Sequence, residues 1–159
     1  MENLTLARLL HIIVVMLWIG GVAMVTTVII PAAKAIRSPE ERITFFRKIE
    51  SRFSIQAKIT TLITGLTGFY MLYEMNAWDR YLDYHFWWLH AMTFVWLLFT
   101  VLLYVLEPLI LEKLLNKYAI KESQKTFQIL HNVHWGLLIL SLITIAGAVA
   151  GSHGWFIFK

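Results

Sequence analysis

Cysteine is absent from this 159-residue chain, and proline and charge are scarce, with three prolines and 15% charged residues. Without thiols the chain can form no disulfide bond, thiolate metal site, iron–sulfur cluster or covalently attached c-type haem. Hydrophobic residues make up 58% of the chain, which is more than a soluble domain of this size could bury. The composition therefore predicts an integral membrane protein, in which a metal or haem would need His, Met, carboxylate or backbone ligands.

Four apolar stretches divide the sequence, and each is close to the roughly 20 residues that a helix needs to cross a bilayer. They cover about residues 6–30, 55–73, 86–106 and 133–151. The first is longer than a signal-peptide core and lacks a cleavage site, so we expect it to be retained. The predicted fold class is all-α: residues 1–159 form a single domain, an integral membrane four-helix bundle.

Basic residues are concentrated in the two segments that would lie on one side of the membrane. Those between the first two stretches are Lys34, Arg37, Arg42, Arg47, Lys48 and Arg52, and those between the last two are Lys113, Lys117, Lys121 and Lys125. The positive-inside rule then places both termini on the outer, periplasmic side of a bacterial cytoplasmic (inner) membrane. The net charge of +4 indicates topology and contact with anionic lipid, and we predict no nucleic-acid partner.

Two proline-containing segments predict where helices begin and bend. Ser38 followed by Pro39 and Glu41 forms a capping pattern, so a helix should begin there and continue into the second span. Pro108 should kink the third span at its inner end, with a helix continuing beyond it.

Histidine occurs near one end of three of the four apolar stretches. With both termini outside, His11 and His90 enter the membrane at a similar depth, whereas His131 and His134 lie roughly 20 Å away, near the inner surface. An ionisable side chain at membrane depth is by default a hypothesis about a ligand, a proton path or a cofactor. Two histidines from different helices at one depth can supply both axial ligands of a b-type haem. We therefore predict that His11 and His90 hold haem b.

The inner histidines have a different geometry. His131 and His134 are three residues apart on one helix face, so they cannot bind opposite faces of one haem. His134 is the better candidate to ligate a second haem, and His131 is retained as a candidate cofactor contact. For His11 and His90 the alternatives are a hydrogen bond to a neighbouring backbone or hydroxyl group, copper binding or a proton path, and for His131 and His134 the alternative is a polar interface role.

Two further side chains belong to the predicted cofactor site. Trp18 lies seven residues after His11 on the same helix face and could pack on a ring. Arg52 begins a stripe of residues spaced by four on the second helix, which we expect to face the bundle interior. The other members of this stripe are Gln56, Thr60, Thr64 and Gly68.

The order of these features resembles the HemJ-type protoporphyrinogen IX oxidases and the related CopD-like membrane proteins, which are four-helix haem-binding membrane proteins. Leu10-His11-Ile12-Ile13, followed by Trp18 and Gly20-Gly21, is similar to the first helix of that family. Trp88-Leu89-His90 resembles the start of its third helix. The resemblance implies a haem-binding bundle in which His11 is a haem ligand.

The chain also departs from the pattern of that family, because the apolar Val28-Ile29-Ile30-Pro31 stands where its first helix has a polar arginine-histidine end. Met92 stands where the family usually has lysine, and His131-Asn132-Val133-His134 stands where it has an Asn-Glu-x-Pro stretch. These departures favour a relative adapted to another redox task.

The leading functional hypothesis is a membrane-embedded b-type haem protein with a redox or electron-transfer role and one haem, or two if His134 is a ligand. Its partner would be a quinone, a porphyrinogen or another redox carrier, and whether it is a porphyrinogen-oxidase-like enzyme is left open. One alternative is a CopD-like copper-binding or transport protein, whose metal ligands would include His11, His85, His90 and His153. A second alternative is a cofactor-free structural or assembly subunit. Gly147-x-x-x-Gly151 offers a contact face for a homodimer.

Overall fold

The structure is a computed structural model that describes residues 2–111 and 123–155, and all regular elements in these two ranges are helices. The four long ones are α1 (Glu2–Ala35), α2 (Pro39–Glu74), α3 (Trp87–Val101, continuing as a π-helix over Leu102–Leu111) and α4 (Ser123–Ser152). Two short 3₁₀ turns, Trp78–Leu82 and Tyr84–Phe86, connect α2 to α3. The all-α prediction is confirmed for this part of the chain.

Three segments of the described ranges are long and apolar enough to cross a membrane: Glu2–Ala35, Tyr84–Leu109 and Ser123–Ser152. The chain therefore has the character of a membrane protein. The remaining predicted span, residues 55–73, lies within α2, whose sequence mixes threonine, lysine and arginine with apolar residues. These polar residues lower the hydropathy of α2 relative to the other three helices.

The predicted start of α2 is confirmed. Ser38 has extended backbone and its hydroxyl oxygen accepts a hydrogen bond from the Glu41 N–H at 3.3 Å, while Pro39 is the first helical residue. The segment between the first two predicted spans is thus largely the first part of α2 itself. The helix predicted to follow the kink at Pro108 falls in residues 112–122, outside the described residues, and the backbone around Pro108 is π-helical.

α1 changes from an α-helix to a π-helix over Val25–Ile29, just before Pro31. The N–H of Ile30 donates to the carbonyl of Val25, five residues back. The carbonyl of Thr26 consequently loses both of its helical donors, because Ile30 is already used and Pro31 has no N–H. This shift leaves one backbone oxygen of α1 available to a side chain of another helix.

The bundle is held together by aromatic side chains that pack onto glycines. A Cβ built on Gly65 would lie 2.6 Å from the Trp96 ring, and one built on Gly147 would lie 2.4 Å from the Trp87 ring. Gly151 makes the same kind of contact with Trp88. The face of Gly147 and Gly151, which was predicted to form a dimer contact, is therefore covered by tryptophans of the same chain. The homodimer stays a prediction, but this face is not available for its contact.

Large apolar side chains cover the outward surface of every long helix. Exposed examples are Leu6, Leu9, Ile13 and Leu17 on α1; Ile55, Ile59, Leu62 and Leu66 on α2; Phe94, Leu97 and Val101 on α3; and Ile129, Val133, Ile139 and Leu142 on α4. An apolar surface of this extent is unusual for a soluble monomer and suits contact with lipid.

Candidate functional site

The half of the bundle that carries His11 contains a cavity of about 670 Å³. All four long helices and the connection between α2 and α3 contribute to its wall. The wall is mostly apolar, and its polar members are His11, Thr64, Arg80, Tyr81, Thr93, Ser141 and Thr144. Pockets that hold cofactors and other small molecules commonly have volumes of about 300 to 1,000 Å³ and walls of this composition. The cavity is therefore the candidate site.

The protonation of the His11 ring is fixed by its partner. Nδ1 of His11 lies 2.9 Å from Oγ1 of Thr67 on α2. The Thr67 hydroxyl donates its own hydrogen to the carbonyl of Ile63 at 2.7 Å, so its oxygen accepts from His11. The proton of the neutral ring is thus on Nδ1, and Nε2 keeps a free lone pair. A histidine that binds a metal through one nitrogen is usually held in this way through the other.

His90 occupies a different environment from His11. Its ring is exposed, does not line the cavity, and lies edge-on to the Tyr81 ring with 5.3 Å between centroids. Nε2 of His90 donates to the Tyr81 carbonyl at 3.0 Å. The structure therefore does not bring the two predicted haem ligands together in one cavity.

The inner histidines bond to backbone carbonyls. His134 donates from Nδ1 to the Leu130 carbonyl of its own helix at 2.9 Å, and it does not line the cavity. His131 Nε2 lies 3.0 Å from the carbonyl of Thr26, the oxygen that the π-helix leaves without a helical donor. The indole N–H of Trp135 also lies 3.0 Å from that nitrogen. Because Thr26 is fully buried and Trp135 is exposed, the bond to Thr26 is the one that burial requires.

The two remaining predicted contacts differ in position. Trp18 lines the cavity, is 3% exposed and packs edge-on against Phe99 at 4.9 Å. Its Nε1 is buried and has no hydrogen-bond partner in the described part of the chain. Arg52 is exposed and does not line the cavity. The other polar residues of the predicted stripe differ in burial: Thr60 and Thr64 are buried, whereas Gln56 is exposed.

The serine and threonine hydroxyl groups of the cavity wall donate their hydrogens to their own helices. Thr64 donates to the Thr60 carbonyl, Thr93 to Leu89, Ser141 to Leu137 and Thr144 to Leu140, at 2.8 to 2.9 Å. Their oxygens keep acceptor capacity. The Trp18 N–H, by contrast, is a buried donor at this wall without a partner among the described residues. A bound molecule that placed an acceptor atom or a π face next to this N–H would satisfy it.

Sequence reasoning missed several cavity residues, including Met92 and the Arg80–Tyr81 pair at its wall. The Tyr81 hydroxyl donates to Oγ1 of Thr93 at 2.6 Å, and the Arg80 guanidinium lies over the Phe86 ring at 5.1 Å. The spacing of Leu89, Met92, Thr93 and Trp96 is a signal that could have found the α3 side of the wall.

A second polar cluster lies at the opposite end of the bundle. Lys58 on α2 and Glu107 on α3 form an ion pair at 3.1 Å, and the Ser54 hydroxyl donates to the same carboxylate oxygen. Burial and the neighbouring negative charge of Glu107 raise the pKa of Glu50 to about 7, and the positive charges of Lys58 and Arg47 oppose this shift. The cluster joins α2 to α3 and is separate from the cavity.

The described residues contain no group of three or more His, Asp or Glu side chains that could hold a metal ion. A haem requires less of the protein, because its porphyrin supplies four ligands and the chain needs to add one or two. A search of protein-family models, curated proteins and solved structures finds nothing that matches this chain.

Proposed function

We propose that this chain is a membrane-embedded b-type haem protein with a redox role, in which His11 is an axial ligand through Nε2. The observation that carries the proposal is the His11–Thr67 hydrogen bond, which engages Nδ1 and leaves Nε2 as the nitrogen available to a ligand on a residue that lines a large apolar cavity. Haem would supply one-electron chemistry when bound. The residues of the chain would supply an axial bond, a low dielectric and a fixed orientation.

Other features of the cavity fit the same group. Its apolar wall suits the porphyrin face, and Arg80 is a cation at the wall that could pair with a propionate. The buried Trp18 N–H would gain a π face or an acceptor atom. Thr67 would raise the basicity of the ligand by holding its other nitrogen.

We further propose that α2 also crosses the membrane, so that four helices span a bacterial inner membrane with both termini outside. The exposed face of α2 carries Ile55, Ile59, Leu62 and Leu66, which are each more than half exposed in the isolated chain. Within residues 55–73 the threonines are buried in the bundle, as Thr60 and Thr64 are, and Lys58 is paired with Glu107. A helix of this construction can lie in lipid although its overall sequence is less apolar.

The test is an optical spectrum of the full chain, expressed in cells that make haem and purified in mild detergent. We expect a Soret band and a sharp α-band after reduction, and at least a tenfold loss of bound haem in His11→Ala. His153→Ala is the matched control, because His153 lies outside the cavity and donates from Nδ1 to the Val149 carbonyl at 2.8 Å. Purified protein without haem, or equal haem in the two variants, contradicts the proposal. Copper retained in place of haem would favour the transport alternative.

A further inference from the structure

α3 contributes one of its faces to the cavity wall, and His90 does not lie on that face. The wall residues Leu89, Met92, Thr93 and Trp96 follow the spacing of a single helix face. Successive residues of an α-helix are about 100° apart, so Met92 lies roughly 200° around the axis from His90. No single orientation of α3 can therefore present both Met92 and His90 to the cavity. In this structure Met92 lines the cavity and His90 does not.

The orientation of α3 is fixed by contacts on both sides of the helix. On the cavity side, the Trp96 indole N–H donates to the Thr61 carbonyl of α2 at 3.0 Å, and its ring packs on Gly65. On the other side, His90 donates to the Tyr81 carbonyl. Turning His90 into the cavity would break both of these hydrogen bonds.

Met92 also stands on the opposite side of the cavity from His11 and at a similar depth. α1 and α3 each pack against α2 and α4, so they are diagonal in the bundle. His11 packs next to Gly68 of α2, while Trp96 contacts Gly65 and Phe69 of the same helix. Met92, one turn from Trp96, is therefore near the level of His11.

The other methionines of the wall are less suitable. Met16 shares α1 with His11, so the two cannot approach a ring from opposite faces. Met71 lies on α2 and Met75 directly follows it, and α2 is the helix that packs most closely along α1 and supplies Thr67. Met92 is the thioether that faces His11 across the cavity.

We propose that Met92, and not His90, is the second axial ligand of the haem that His11 holds. The inference rests on the proposed function and adds to it the identity of the sixth ligand. A thioether opposite an imidazole gives a low-spin iron with a higher reduction potential than two imidazoles. The chain would then be suited to accept electrons from a donor of moderate potential.

The experiment compares the haem-loaded full chain with Met92→Leu, Met92→His, His90→Ala and the control Met24→Leu. Met24 is on α1 outside the cavity, so its variant removes one thioether without touching the site. The measurements are the optical and electron paramagnetic resonance spectra and the midpoint potential. We expect six-coordinate low-spin haem in the wild type, in His90→Ala and in Met24→Leu. Met92→Leu should retain haem but become high-spin, and Met92→His should return to low-spin with a lower midpoint potential.

The outcomes separate this inference from the function on which it rests. Bound haem that stays low-spin in Met92→Leu, or that becomes high-spin in His90→Ala, overturns the assignment of Met92 and leaves the haem protein intact. High-spin haem in the wild type also overturns the assignment. The absence of haem from every variant overturns the proposed function itself.

Discussion

Gly65 and Gly136 are both interior residues of long helices, but they have different surroundings. A Cβ on Gly65 would lie 2.6 Å from three atoms of the Trp96 indole, whereas nothing lies within 4 Å of a Cβ on Gly136. The Trp96 ring has little room to yield, because its N–H is bonded to the Thr61 carbonyl. At the scale of single residues, Gly65 is where the packing of α2 on α3 is most sensitive to one added carbon.

We predict that Gly65→Ala destabilises the protein by about 1–3 kcal/mol, because the methyl group displaces Trp96 from its contact with α2. Gly136→Ala is the matched control, and it should be neutral or stabilising by up to ~1 kcal/mol, since alanine favours the helix. Unfolding of the two variants in mixed detergent micelles measures the difference. Equal stability of the two variants would show that the Trp96 contact does not constrain the bundle.

The π-helical stretch of α1 links two helices through one hydrogen bond. Pro31 shifts the hydrogen-bond pattern of α1, the shift leaves the Thr26 carbonyl without a helical donor, and His131 of α4 supplies one. His134, one turn further along, bonds only within its own helix. At the scale of elements, one inner histidine therefore joins α1 to α4 and the other does not.

We predict that His131→Ala lowers the free energy of unfolding by about 1–3 kcal/mol, because a buried carbonyl is left unpaired. His134→Ala should cost less, since the Leu130 carbonyl keeps its helical partner. The readouts are unfolding in detergent and the haem content of each variant, which should equal that of the wild type. Loss of haem from His131→Ala at unchanged stability would instead identify His131 as a ligand.

The sequence predicts the helices better than it predicts which way their side chains face. Long apolar stretches and the Ser38 cap are local signals, so they locate the four long helices, although α4 begins at Ser123, well before its predicted span at 133. The inward position of Met92 depends on how Trp96 packs on Gly65, a contact between helices that no local pattern contains. For the same reason the sequence can single out His11, which lines the cavity, but it cannot identify Thr67 as the hydrogen-bond partner of that ring.

At the scale of the whole molecule, the proposed crossing of the membrane by α2 decides on which side the two ends of the bundle lie. The connection between α2 and α3 lies at the end of the bundle that carries His11, and the basic first part of α2 lies at the other end. If α2 crosses, these two regions are on opposite sides of the membrane. If it does not, they share one side.

The natural absence of cysteine makes this arrangement directly testable with single-cysteine variants. We predict that Asp79→Cys and Ser152→Cys react with a membrane-impermeant maleimide in intact cells, because both residues are exposed at the end of the bundle that the proposed topology places outside. Thr44→Cys and Ser51→Cys, which are exposed at the basic end, should react only after the membrane is opened. Labelling of Asp79→Cys and Ser51→Cys from the same side would rule out a crossing by α2.

The threonine hydroxyls of α2 also bear on how the chain enters the bilayer during synthesis. Thr60, Thr64 and Thr67 donate to carbonyls three or four residues back, so these bonds exist before any other helix has been made. Lys58 is different, because its partner Glu107 belongs to α3, which leaves the ribosome later. If α2 crosses the membrane as proposed, it can be inserted with its threonines already satisfied, whereas the charge of Lys58 would gain its partner only once α3 has been made.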